Sequence, residues 1–413
     1  MYFPVFVHIF FVLAGMFGFA AGVHAQNKQG PLPKTVSSSI GEIKVEQLAT
    51  LEYPWGMALL PDGRILITEK PGHLRIWENG RLSKPVRGVP DVVYRGKDDQ
   101  GGLLDVEIDP DFKRNRYVYL SYVEAAEQQS DALRNTDDFR FGPMDPADSI
   151  IRGGVVARAR LDGDRLRDVE VIWRQEPKTV GRGHFGNRLV FTRDGKLFIT
   201  SGDRMRFEPA QSLNSNLGKV LRINSDGSIP KDNPFAGKKD ARGDIWSYGH
   251  RNILAAAVDP SSGQLWTLEM GPLGGDELNL IGKGSNYGWP LVSNGDHYGR
   301  DFVHAQLTSI PGHLTSKEYQ PPVRSWTPVI SPSGATFYTG ELFLGWNGNL
   351  LAGGLSSQAL VRLKLDGERV AIEERIDMQR RVRDVLQTPD GAILLIVDDA
   401  KGDLLRLTPA ETR

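Results

Sequence analysis

Short apolar runs separated by turns rich in Asp, Gly and Asn recur along most of the chain, and one arrangement of them repeats. An apolar strand, a tight turn and a second apolar strand follow one another six times. Residues 57–60 lead through Pro61-Asp62-Gly63 into 64–68, residues 103–108 through 109–112 into 117–122, and residues 188–191 through Arg193-Asp194-Gly195 into 196–200. Residues 253–258 lead through 259–263 into 264–268, residues 335–338 through Gly345-Trp346-Asn347-Gly348 into 349–352, and residues 383–386 through Pro389-Asp390-Gly391 into 392–397. Asp-Gly and Asn-Gly suit the positive φ angles of hairpin turns, and the flanking runs are β-branched and aromatic. An isolated hairpin buries too little surface to stand alone, so such units must pack together. Radial packing protects sheet edges and covers both faces of each unit. A β-sandwich is the alternative, but six copies of one hairpin signature favour an all-β, six-bladed β-propeller with four-stranded antiparallel blades.

Two stretches break the rhythm. Residues 124–148 are polar and acidic and read as a surface insertion, and residues 290–325, rich in Gly, Pro and His, read as a long loop over one face. Loops of that length in a compact fold are often functional. At the start of the chain, residues 3–21 are nearly all apolar, and Val23 and Ala25 suit a signal-peptidase site. Residues 1–25 therefore read as a signal peptide, 26–40 as a flexible leader and 41–413 as a single propeller domain. No Lys or Arg precedes the apolar run, so an uncleaved anchor competes with cleavage. Both readings put the folded part outside the cytoplasm, in the periplasm or secreted; with cleavage, no stable membrane insertion remains.

Composition narrows the function. The 413 residues carry a formal net charge of −1, which offers no basic excess for nucleic acid. With no cysteine, the chain has no disulfide, thiolate zinc site, thiol nucleophile or covalently attached c-type haem.

The repeat also yields a positional expectation. The residues that open the first strand of each copy are Trp55, Gln100, His184, Arg251 with Asn252, Ser331 to Ser333, and Arg381 with Arg383. The partner strands end at Glu69, Ser121, Asp203, Gly271-Pro272, Ser356 and Asp398. In a hairpin these two ends coincide, so radial blades gather both sets on one face. Solvent exposure is the default for Trp55, Ser121 or Asp398 taken singly. A histidine with several arginines and no matching carboxylates instead calls for a small anionic ligand, because guanidinium forks pair with planar carboxylates.

The runs Gln100-Gly101-Gly102-Leu103-Leu104-Asp105-Val106, His184-Phe185-Gly186-Asn187-Arg188-Leu189, Leu217-Gly218-Lys219, Gly249-His250-Arg251-Asn252, Gly274-Gly275-Asp276-Glu277, Asn286-Tyr287-Gly288-Trp289-Pro290, Ser331-Pro332-Ser333-Gly334 and Arg381-Val382-Arg383-Asp384 resemble the soluble PQQ-dependent glucose and aldose sugar dehydrogenases. The resemblance runs in order over nearly all of the chain beyond the leader. It implies PQQ, a tricarboxylated ortho-quinone, held by Gln100, Arg251, Asn252, Arg381 and Arg383. It implies calcium on the carbonyls of Gly271 and Pro272, with Asp276 and Glu277 either adding charge or serving the turn. It implies His184 as general base, oriented by Asp203, in oxidation of an aldose sugar at C1 to an aldonolactone, with an electron acceptor that the sequence does not identify.

Two positions depart from the family pattern: Ser356 stands where the glucose-oxidising members carry a lysine, and Gly183 where they carry an acidic residue. A calcium-dependent propeller lactonase and a non-catalytic sugar-binding propeller are the rival readings. Sugar selectivity is expected from residues 290–325, with Trp289 and Trp326 either stacking on the sugar or lying in the core.

Overall fold

A computed structural model describes residues 30–129, 150–296 and 310–410. The strands form six antiparallel sheets, each blade starting with an inner strand. These inner strands are Pro54–Leu59, Leu103–Ile108, Gly186–Phe191, Ile253–Val258, Pro332–Phe337 and Val382–Gln387. Each neighbours the next, and the last neighbours the first, so the ring closes. The hairpins anticipated from turn chemistry are the first two strands of the six blades.

The last blade closes the ring with strands from both ends of the chain. Gly41–Leu51 pairs with Gly402–Pro409 and, on its other edge, with Thr35–Ser38. The flexible leader expected over 26–40 is thus corrected: Thr35–Ser38 is an outermost strand, and its polar sequence reflects an edge position. Leu32–Arg413 forms one unit. The expected signal peptide lies outside the described residues, as do 130–149 and 297–309 of the two expected insertions. Of the first insertion, Glu124 and Ala125 extend the strand Tyr117–Ala125; of the second, Arg324–Trp326 is the outer strand of the fourth blade. Among the described residues no helix is long and apolar enough to cross a membrane.

The core lies in the gaps between blades. One apolar cluster fills each gap, such as Leu66, Leu74, Val118 and Leu120 between the first two blades and Tyr119, Leu197, Ile199 and Leu221 between the next two. Both faces of most inner strands are therefore buried, which is why they read as continuous apolar runs rather than strict alternation.

Each inner strand also breaks register with its partner within its first few residues, between Pro54/Met57, Leu103/Val106, Gly186/Leu189, Ile253/Ala255, Pro332/Ala335 and Val382/Asp384. Bulges re-aim side chains, and here they aim them at the propeller axis. The Arg188 guanidinium meets Asp105 at 2.9 Å and Asp384 at 3.3 Å, its Nε donates to the Leu254 carbonyl at 3.1 Å, and its face lies 4.2 Å from the Trp55 ring. The Asp105 and Asp384 carboxylates also accept the backbone N–H groups of Leu189 and Met57. Gly56 and Gly334 leave the space: a Cβ on either would overlap Asp105 or Asp384. Trp55, Leu104, Phe185 and Leu254 cap this plug on the side of the strand starts. Beyond it, a cavity of about 270 Å³ opens at the opposite end of the axis.

Candidate active site

His184 precedes the inner strand Gly186–Phe191 and Asp203 follows its partner Lys196–Ser201, so the antiparallel pairing Gly186↔Ser201 brings them together. Gly202 makes the approach possible, since a Cβ there would overlap the His184 carbonyl. The imidazole Nδ1 lies 2.7 Å from Asp203 Oδ1. That oxygen also accepts the Met205 N–H at 2.8 Å, and Oδ2 accepts the Trp289 indole N–H at 2.8 Å. A carboxylate only accepts, so Nδ1 of a neutral His184 carries the proton and Nε2 is left with its lone pair. Burial, then the charge of Arg251, holds the His184 pKa below its ordinary 6.5 although Asp203 opposes them. Burial raises the Asp203 carboxyl, but His184, Arg251 and the Met205 N–H outweigh it and keep it below the usual range. Gln100 joins this group, its side-chain oxygen accepting the His184 N–H at 2.8 Å.

A cationic wall stands on the same face. Arg251 donates its backbone N–H to Glu269 and its Nη1 to the carbonyls of Met270 (3.0 Å) and Gly271 (2.7 Å), while Nε is buried without a hydrogen-bond partner. Asn252 is 1% exposed, and neither its amide nitrogen nor its oxygen has a partner. Buried amides are ordinarily satisfied, so Asn252 asks for a ligand group that both donates and accepts, or for two groups.

Arg381 and Arg383 both pair with Asp398, at 2.8 and 2.9 Å. The expectation of arginines without a carboxylate is corrected here, because the partner strand of the same hairpin ends in Asp398. Burial raises the Asp398 carboxyl, but Arg383, Arg381 and Lys70 outweigh it and hold it well below the usual range.

Lys70 is the functional candidate that sequence reasoning missed. It is buried, donates to the Asp99 carbonyl at 2.7 Å and lies near the rings of Tyr53 and Tyr94. Burial, then the charge of Arg383, pushes its pKa down to about 8. Two arginines thus share one carboxylate, Asp398, with Lys70 near enough to feel their charges, an arrangement that leaves room for an anion. The signal was available: Lys70 directly follows Glu69, a strand end already placed on this face. Ser356 stands beside Arg381, whose Nη1 reaches the carbonyl of Leu355 at 3.5 Å, and its hydroxyl donates to the Val329 carbonyl.

Gly271 and Pro272 form the turn after Leu265–Glu269 and line a cavity of about 10 Å³ with Arg251, Glu277, Trp289 and His313. Asp276 fastens this turn, accepting the N–H groups of Gly271, Ile330 and Ser331, and burial raises its carboxyl to about 6. Glu277 pairs with His313 at 2.9 Å. Both acids therefore have structural partners, while the Gly271 carbonyl keeps a lone pair beyond the one that Arg251 uses. Carbonyl oxygens are hard ligands of the kind calcium takes. Among the described residues no group of three or more His, Asp or Glu side chains is placed to hold a metal.

Trp55 and Ser121 are buried rather than exposed, serving the axial plug and the blade contacts. Trp289 and Trp326 are also buried, so neither is an open sugar platform. The run around Lys219 is scaffold, its ammonium held by the carbonyls of Pro209, Ala210 and Leu217 at 2.6 to 2.9 Å.

Comparison with known proteins identifies the family. The profile of the Glucose / Sorbosone dehydrogenase family matches residues 51–406. The aldose sugar dehydrogenase YliI of Escherichia coli K12 is 38% identical over 365 residues, covering 87% of this chain and 91% of its own. Quinoprotein glucose dehydrogenase B of Acinetobacter calcoaceticus is 30% identical, covering 86% of this chain and 85% of its own. The PQQ-bound aldose sugar dehydrogenase of Streptomyces coelicolor superposes with a TM-score of 0.70 at 26% identity, over 91% of this chain and 99% of that one. With that profile match spanning all six blades of the propeller, the chain belongs to the glucose/sorbosone dehydrogenase family.

Proposed function

We propose that the protein is a PQQ- and calcium-dependent aldose dehydrogenase, oxidising the sugar at C1 to an aldonolactone with His184 as general base. The observation that supports the reading is the desolvated His184–Asp203 pair, beside Arg251 and at the same strand-start end of the blades as the buried, unpartnered Asn252 and the cations Arg381, Arg383 and Lys70. That set fits a small polycarboxylate with ring carbonyl and ring N–H groups. Gln100, Arg251, Asn252, Arg381 and Arg383 would hold PQQ, and the carbonyls of Gly271 and Pro272 would hold calcium. When bound, the PQQ–calcium pair supplies a polarised acceptor for the hydride that leaves C1.

His184 does the proton chemistry. Its Nε2 lone pair takes the C1 hydroxyl proton as the C1–O bond becomes a carbonyl, and Asp203 stabilises the imidazolium that forms. The lowered pKa keeps the ring neutral at neutral pH, ready to accept. Arg251 keeps its orientation through two carbonyls and Glu269, so it needs little rearrangement when an anion arrives. Ser356 brings no charge to the wall. The substrate is a free aldose, and the acceptor that reoxidises the enzyme is a separate molecule.

The test uses the protein purified without PQQ. Dye reduction by an aldose panel should require both PQQ and calcium. His184→Ala should lower turnover by about 10²- to 10⁴-fold, the usual worth of a general base, with PQQ binding by calorimetry retained. Turnover that survives this substitution would remove His184 from the role. Failure to bind PQQ would remove the dehydrogenase reading and favour the lactonase or simple binding alternatives.

A further inference from the structure

Trp289 touches both halves of the site. Its indole N–H donates to Asp203 Oδ2 at 2.8 Å, and its ring lies 5.4 Å from the Arg251 guanidinium. The residue is 4% exposed and is held in turn by its neighbours. Its backbone N–H donates to the Gly249 carbonyl at 2.9 Å, its carbonyl accepts Gln211 Nε2 at 2.7 Å, and its ring meets Phe207 edge-on at 5.1 Å. Gln211 is itself locked to Asn286 by two amide hydrogen bonds of 2.8 and 3.0 Å.

We propose that Trp289 is a positioning residue for the dehydrogenase, setting the tautomer of His184 through Asp203 and the plane of Arg251 through its ring face. This rests on the reading of His184 as base. Asp203 has two oxygens with separate duties: Oδ1 accepts His184 Nδ1 and the Met205 N–H, and Oδ2 accepts the indole. The indole therefore holds the carboxylate in the rotation that points Oδ1 at His184. Without it, Oδ2 is a buried acceptor with no donor, and the carboxylate turns to find one. His184 then loses the acceptor that keeps its proton on Nδ1, and the tautomer with a protonated Nε2 becomes populated. That form cannot take the C1 hydroxyl proton. The loss falls on kcat, because sugar binding does not depend on which imidazole nitrogen is protonated.

Trp289→Phe separates the two duties best, since it removes the N–H and part of the indole volume but keeps an aromatic ring on the side of Arg251 and Phe207. In histidine-labelled protein without PQQ, nitrogen NMR should show His184 as a single Nδ1–H form in the wild type, identified by its loss in His184→Gln. In Trp289→Phe it should show a mixture of both tautomers. With PQQ and calcium added, kcat should fall roughly ten- to hundredfold, while KM for the sugar and the affinity for PQQ stay within about threefold. Trp289→Ala should weaken PQQ binding as well. In the wild type the Trp289 indole proton should be downfield and protected from exchange, a readout that needs no variant to fold.

A single Nδ1–H tautomer and near-normal kcat in Trp289→Phe would overturn the proposal, as would a freely exchanging indole proton. A tautomer shift in a protein that never turns over sugar would support the positioning role and sink the dehydrogenase reading instead.

Discussion

At the scale of single residues, the behaviour of His184 is set by opposing pulls. Burial and Arg251 favour the neutral ring, Asp203 favours the charged one, and the first two win. Activity carried by neutral His184 should therefore hold through neutral pH and fall only as pH drops below 6.5, through the lowered pKa. Asp203→Asn removes the one pull upward, so the acid limb of kcat/KM should move to still lower pH while kcat falls by about 10²- to 10⁴-fold. A pH–rate profile decides this: a limb displaced to higher pH would mean that Asp203 is not the partner acting on the base. His184, Asp203, the arginines and Gln100 were legible in sequence because each sits at a strand end of the repeat. Trp289 was legible only as an aromatic, because its contact with Asp203 spans 86 positions of chain and no local pattern records it. Asp398 was seen at a strand end, but its pairing with two arginines was not, since a charge pair depends on side-chain direction.

The elements show why six similar hairpins produce such different chemistry. Their turns are alike, but at or beside the bulge the inner strands place four kinds of group at the axis: glycine in the first and fifth blades, aspartate in the second and sixth, arginine in the third and a backbone carbonyl in the fourth. The glycines are complements to their neighbours rather than flexible joints. Gly334→Ala should destabilise the protein by about 1–3 kcal/mol, the usual cost of overpacking, because its Cβ would overlap a carboxylate that is itself pinned to Arg188 and Met57. Urea unfolding measures this, and an unchanged midpoint would mean that Asp384 moves freely. Inner hairpins were readable because Asp-Gly turns and apolar runs are local signals. The outer strands were not: Arg369–Asp377 is mostly polar and half-exposed, Thr35–Ser38 is a short polar edge strand, and Gly41–Leu51 meets Gly402–Pro409 only after the chain has closed its ring.

For the whole molecule, the plug formed by Arg188, Asp105 and Asp384 ties three blades together at the axis. Arg188→Met would leave two buried carboxylates without their cation, a loss of about 3–5 kcal/mol near neutral pH. Burial already raises both pKa values above those of exposed aspartates. In the variant the folded state therefore takes up protons at a higher pH than the unfolded chain, and stability is regained as pH falls through those raised values. Unfolding midpoints across pH should show the deficit shrinking in mild acid, and a deficit that grows there would contradict the pairing. The propeller architecture was readable from six equal signatures, whereas the plug was not, because its members are separated by whole blades. With its stopper in place, the disc is a cup rather than a pipe. The 270 Å³ cavity at the far end is a room without a door to the chemistry. Among the described residues the plug closes the axis between that cavity and the base, so under the proposed reaction substrate and product would share the side of the strand starts and take turns there.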